Sequence, residues 1–160
     1  MAKYEGSKKT MRALAAYTNL VRATDSIVGL LTKQLDSFGL TMGQFRVLEA
    51  VLHVGPMSQS ALCEKLMCSD GNMTFLIRKL MGRGLILRET IKGENIKWTI
   101  HLSPAGQKLI AKVFPQHARV IRARMAALKG REQETLRNLC RKLGYGNPGR
   151  FLRELVIVEE

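Results

Sequence analysis

The sequence predicts a mostly α-helical fold with a single small β-hairpin, and three observations carry that prediction. Apolar residues recur every three or four positions through most of the 160 residues, which is the spacing of amphipathic helices. The period changes to two only between Leu85 and Leu102, as a pair of half-buried strands requires. Ser, Thr, Gly and Pro stand where these patterns start and stop, the places that suit caps and breakers.

Each element follows in chain order. Met11, Leu14, Tyr17, Val21, Ile27, Val28, Leu31, Leu35 and Phe38 mark one long helix over residues 10–38, ended by Gly39. Thr41-Met42-Gly43-Gln44 fits a capping box, so a second helix runs over 42–53 with Phe45, Val47, Leu48 and Val51 inward. Gly55-Pro56 breaks it. Ser58 caps a short helix over 59–66, and Ser69 caps another over 70–82 whose buried stripe is Met73, Leu76, Ile77 and Leu80. Residues 85–90 and 96–102 alternate as strands around the turn residues Lys92-Gly93-Glu94-Asn95. Trp98 reads as hairpin core. Ser103-Pro104 is a cap followed by proline at the first helical position. The helix it opens reaches Leu128, with a kink expected at Pro115. A last helix covers 131–143, and the tail 144–160 takes no assignment.

Composition narrows the function. Twenty-six Lys and Arg against 13 Asp and Glu give a net charge of +13, a field that attracts polyanions by releasing their counterions. Residues 81–160 hold 16 basic and 7 acidic side chains, and residues 1–80 hold 10 and 6. From Asn95 to Arg131 eight basic residues occur without an acidic one. The longest apolar runs, Ala13–Tyr17 and Ile27–Leu31 counting Gly29, are five residues, whereas a membrane-spanning helix needs about 20. The polar start, Met1 to Thr10, has no apolar signal core, so a cytoplasmic, membrane-free protein is expected. Cys63, Cys68 and Cys140 form no CxxC and have no His pair nearby. They read as buried small hydrophobes rather than zinc ligands or redox thiols. His53, His101 and His117 are too scattered for a metal site. No nucleophile motif, phosphate loop or carboxylate pair appears. Neither catalytic residues, metal nor cofactor is therefore expected.

Helix, short helix, tight turn, helix and hairpin is the order of a winged helix-turn-helix. The second helix of the pair must enter a major groove about 12 Å wide with polar residues in its first turn. Ser69, Asp70, Gly71, Asn72, Thr74, Phe75, Arg78 and Lys79 lie opposite the buried stripe and meet that need. Two other readings satisfy the same pattern: a winged-helix protein that binds nucleic acid without sequence preference, and a winged-helix module that docks an acidic protein. Asn72 and Thr74, able to bond bases or phosphates, favour DNA.

The chain resembles a MarR-family transcriptional regulator. Four stretches carry the resemblance in order: Leu40–Leu48, Met57–Leu62, Gly71–Thr74 running into Gly82–Arg88, and Leu102–Gly106. The resemblance implies a homodimer that represses or activates transcription from a pseudo-palindromic operator in double-stranded DNA. Residues 10–38 and 104–143 would dimerise, and residues 40–103 would form the DNA-binding lobe. Ser58 and the wing residues Arg88, Lys92 and Lys97 would join the helix residues on DNA. A small aromatic or phenolic effector would sit between dimer helices and lobe, beside Tyr17, Phe45, His53 and Phe114. The basic stretch 108–131 would be the solvated face of a dimer helix, or a flank contact to phosphate. Two departures stand out. The family's wing tip carries an Asp-Arg-Arg run, where this chain reads Ile91-Lys92-Gly93-Glu94-Asn95-Ile96-Lys97. Asp70 and Phe75 also stand where many relatives have arginine.

Overall fold

The computed structural model describes residues 4–91 and 97–144, which fall into two units, Met1–Ile121 and Arg122–Glu160. The first unit holds α1 (Lys8–Asp36), α2 (Met42–Val54), α3 (Gln59–Leu66), α4 (Asp70–Gly82), β1 (Ile86–Ile91) and β2 (Lys97–Leu102). It also holds α5 (Pro104–Met125) as far as Ile121. The last turn of α5 and α6 (Gly130–Gly144) belong to the second.

Local chemistry sets these boundaries. α1 starts two residues before the predicted position because Ser7 caps it, accepting from the Thr10 amide at 3.2 Å. It stops at Asp36, where Gly39 takes a φ of +63°. That left-handed residue lets the Leu40 amide reach back to the Leu35 carbonyl at 3.1 Å, a closure glycine supports at little cost. The capping box forms as read: the Gln44 amide donates to Thr41 Oγ1 at 3.2 Å, and the Thr41 amide to Gln44 Oε1 at 3.1 Å. α5 is one continuous helix through Pro115 and ends at Met125 rather than 128.

Leu35, Leu40, Phe45, Leu48, Leu62, Met73, Leu80, Ile86, Ile100, Ile110 and Val113 form a single core in the first unit. The predicted stripes of α2 and α4 are all within it. Arg83 ties the end of α4 to the α1–α2 turn, donating to the Gly39 carbonyl at 2.7 Å and to Gln44 Oε1 at 3.3 Å. β1 and β2 pair antiparallel in a register from Ile86↔Leu102 to Ile91↔Lys97. Met57 exchanges two backbone hydrogen bonds with Ile100, at 2.8 and 3.2 Å. This bridge pins the hairpin to the α2–α3 connection and is too short to show as a periodic signal.

The structure corrects two expectations. Trp98 is 42% exposed and is not hairpin core. Ile86 and Ile100, at the inner end of the hairpin, already close the core, and Trp98 shares the face of Ile100 two residues nearer the tip. Cys140 is exposed, and Cys63 and Cys68 are only half-buried.

Along α1 only Leu31 and Leu35 are buried, while Met11, Leu14, Tyr17, Val21 and Val28 remain exposed. In the second unit, α6 is held to the preceding turn by Gln133, which donates to the Met125 and Leu128 carbonyls, both at 3.0 Å. Its Leu136, Leu139 and Leu143 are exposed at helical spacing.

Candidate nucleic-acid interface

The helix-turn-helix formed by α3 and α4 is built from caps. Ser58 accepts from the Ala61 amide at 3.1 Å and starts α3. Met67 ends that helix with a left-handed φ of 51°, which makes the turn tight. Ser69 then accepts from the Asn72 amide at 3.4 Å and starts α4. With Met73, Leu76, Ile77 and Leu80 buried, Ser69, Asp70, Gly71, Asn72, Thr74, Phe75, Arg78 and Lys79 form one exposed face.

Several of these side chains are already engaged. Thr74 Oγ1 donates to the Asp70 carbonyl and accepts from Gln59 Nε2, both at 2.8 Å. Gln59 thereby fixes the orientation of α4 on α3; its place one residue after a cap gave no sign of this role. Asp70 accepts a hydrogen bond from the Cys63 thiol at 3.2 Å. Partial burial first, then the Asp70 carboxylate and the neighbouring Cys68, push the Cys63 pKa up to about 11. At neutral pH Cys63 is a protonated thiol, a poor nucleophile. Phe75 is 46% exposed. The Lys79 ammonium and the Arg78 guanidinium lie 5.5 and 5.9 Å from its ring centre, so the apolar ring is flanked by cations.

Arg88 is exposed on β1, its guanidinium 4.5 Å over the Trp98 ring. Lys97 is the first residue of β2. Lys92 lies outside the described residues, as does the tail from 145 onward.

The four suggested effector-lining residues are only partly brought together. His53 and Phe114 meet edge to face at 4.7 Å between α2 and α5. Phe45 is 1% exposed and stacks on the His117 ring at 4.1 Å. Burial holds the His117 pKa below its usual value, and its Nδ1 lies in hydrogen-bond contact with Gln34 Oε1 at 3.2 Å. Tyr17 stands 17 residues before Gln34 on the same helix, roughly 25 Å along its axis, and is exposed. An open cleft of about 400 Å³ does exist, lined by Val51, Leu52, Gly55, Pro56, His101, Leu102, Gln107 and Ala111. None of the four residues named from the sequence lines it.

A short helix, a tight turn, a helix with one polar face and an antiparallel hairpin define a winged helix-turn-helix protein. Residues 40–94 match the family model described as MarR family, and this winged-helix lobe is a MarR-family domain. The chain is similar to an uncharacterized HTH-type transcriptional regulator, YkoM of Bacillus subtilis. The two are 29% identical over 133 residues, covering 83% of this chain and 86% of that one. AbsC, a MarR family transcriptional regulator from Streptomyces coelicolor, shares the fold with a TM-score of 0.78 and 19% identity, over 96% of this chain and 99% of its own. A mutant MarR from E. coli, solved with operator DNA, has a TM-score of 0.75 and 18% identity, over 86% and 99%.

Proposed function

We propose that this protein is a transcriptional regulator that binds double-stranded DNA sequence-specifically, as a homodimer, on a pseudo-palindromic operator. The observation that carries the reading is α4. Its apolar stripe is wholly buried, and its other face presents Asn72, Thr74, Phe75, Arg78 and Lys79 together. Operator DNA in the E. coli MarR structure supports the same partner for this lobe. The uncovered apolar positions of α1 and α6 supply the surface a second copy would cover, and two-fold symmetry is what a palindrome requires. Among the described residues no helix is long and apolar enough to cross a membrane. The place of action proposed is the cytoplasm.

Selection of bound duplexes from a random library tests this directly. The expected product is one palindromic motif with half-site centres about 10 base pairs apart. Equal retention of all sequences would replace the reading with non-specific binding. No retention at all would leave the protein-docking module.

Within the reading unit, Asn72 and Phe75 are one turn apart and can both face the groove floor. Asn bonds bidentately to adenine, and Phe packs on a thymine methyl, so A·T-rich half-sites are expected. Asn72→Ala should cost about 1–3 kcal/mol of binding and relax preference at one base pair. Lys92→Ala and Lys97→Ala should weaken all sequences alike. Base-by-base affinity profiles check this assignment, and an unchanged profile for Asn72→Ala would refute it.

A small aromatic or phenolic effector completes the proposal. The cleft between α2, β2 and α5 has the size for one, with His101 and Gln107 as its polar groups. BpsR of Bordetella bronchiseptica, another protein of this fold (TM-score 0.73), has its DNA binding regulated by 6-hydroxynicotinic acid.

A further inference from the structure

Arg88 and Trp98 make a contact that neither the core nor an ion pair explains. The register sets Arg88 opposite Ile100, so Trp98 is its diagonal neighbour on the same face of the hairpin. The guanidinium lies 4.5 Å over the indole, and both side chains are exposed. The nearest carboxylate in sequence, Glu89, belongs to the opposite face, where it pairs with His101 Nε2 at 3.4 Å. That imidazole nitrogen also meets Thr99 Oγ1 at 2.8 Å. Among the described residues no carboxylate is paired with Arg88.

A guanidinium stacked by its face keeps its N–H donors in the plane, pointing outward from the ring edge. The flat indole also removes rotamer freedom that a lone arginine would lose on binding. Two coplanar N–H groups match the two free oxygens of a phosphodiester. We infer that Trp98 is a positioning residue for Arg88, holding its guanidinium edge-out on the wing to grip a DNA backbone phosphate. The inference rests on the duplex-binding reading above and deepens it. It also answers the missing arginine run at the wing tip: a preorganised arginine sits further back on the same hairpin.

The test measures affinity for the selected and a random duplex across a potassium chloride series. It uses the parent, Trp98→Ala, Trp98→Phe, Trp98→Leu, Arg88→Ala and the Trp98→Ala/Arg88→Ala pair, with a melting curve for each. Trp98→Ala should weaken both duplexes alike, by roughly 3- to 10-fold, and Trp98→Phe should restore most of that. Arg88→Ala should lower the salt slope by about two, one contact from each protomer of the dimer. In the Trp98→Ala background Arg88→Ala should cost distinctly less than in the parent, since the two act as a unit. Trp98 is the chain's single tryptophan, so its emission should change on duplex binding, and less so in Arg88→Ala. Strictly additive losses, or a folded Trp98→Leu that binds like the parent, would overturn the inference. A Trp98→Ala profile altered at one base would show base reading instead and overturn it too. A parent that binds no duplex defeats the underlying reading; a parent that binds while Trp98→Ala binds equally defeats only this inference.

Discussion

Gly106→Ala should destabilise the protein by about 3 kcal/mol or more, the upper range for overpacking a core. A Cβ on Gly106 would lie 1.9 Å from the Leu85 carbonyl oxygen and 2.9 Å from its carbon. Both are backbone atoms, so no rotamer change relieves the clash. Nor can the backbone withdraw freely. The same Leu85 carbonyl accepts from the Ser103 amide at 3.1 Å, and the Leu85 amide donates to the Leu80 carbonyl at 3.0 Å. Ser103 Oγ closes the joint by donating to the Gly84 carbonyl at 2.6 Å and accepting from the Gly106 amide at 2.9 Å. α4, the hairpin and α5 therefore meet at one point, and a methyl group there forces them apart. Thermal unfolding should show a fall of roughly 6–12 °C, on a scale of about 2–4 °C per kcal/mol for a chain of this size. Gly82→Ala is the control, because a Cβ there meets nothing within 4 Å. A Gly106→Ala melting point equal to that of the control would refute the close approach.

The reach of the sequence can be judged element by element. Ser58, Ser69, Thr41 with Gln44, and Ser103 with Pro104 cap their helices through the next three residues, so local reading places all four helix starts. The polar face of α4 is legible for a similar reason: at 3.6 residues per turn, four buried positions define the exposed ones. Trp98 departs from its expected place in the core because alternation tells which face a strand residue shares but not where the core beneath that face ends. The Arg88–Trp98 contact needs the strand register, which alternation within each strand does not fix. Gly106 looks like an ordinary helix interruption until the Leu85 carbonyl is placed beside it. The cleft between α2, β2 and α5 is lined mainly by small and aliphatic residues, which carry no chemical mark in a sequence. Exposure along α1 is the reverse case: the stripe was legible, but how much of it one copy covers depends on packing between elements distant in sequence.

Affinity for duplex should fall by about three orders of magnitude or more between 50 and 200 mM salt, if six or more phosphates are neutralised per dimer. The charge supports a number of that size. The chain carries 26 basic side chains against 13 acidic ones, and each lobe exposes Arg78, Lys79 and Arg88 on the face that carries the reading helix or the wing. Three contacts per lobe over two lobes give about six, and a slope near −5 in log affinity against log salt follows. Among the described residues no carboxylate forms an ion pair with Arg78, Lys79 or Arg88. Random duplex should show a similar slope with weaker binding at every salt concentration, since phosphate contacts carry the salt term and base contacts carry the preference. Lys79→Ala, which removes one contact from each protomer, should lower the slope by about two for both duplexes. Anisotropy titrations with labelled duplex in a potassium chloride series provide the measurement. A slope shallower than about −2 would mean that one or two phosphates suffice. In that event the positive field would not be what holds the lobe on DNA, and α4 would have to bind almost entirely through base edges. For an exposed face with two cations beside a single half-exposed aromatic ring, that outcome would count against the groove-docked geometry itself.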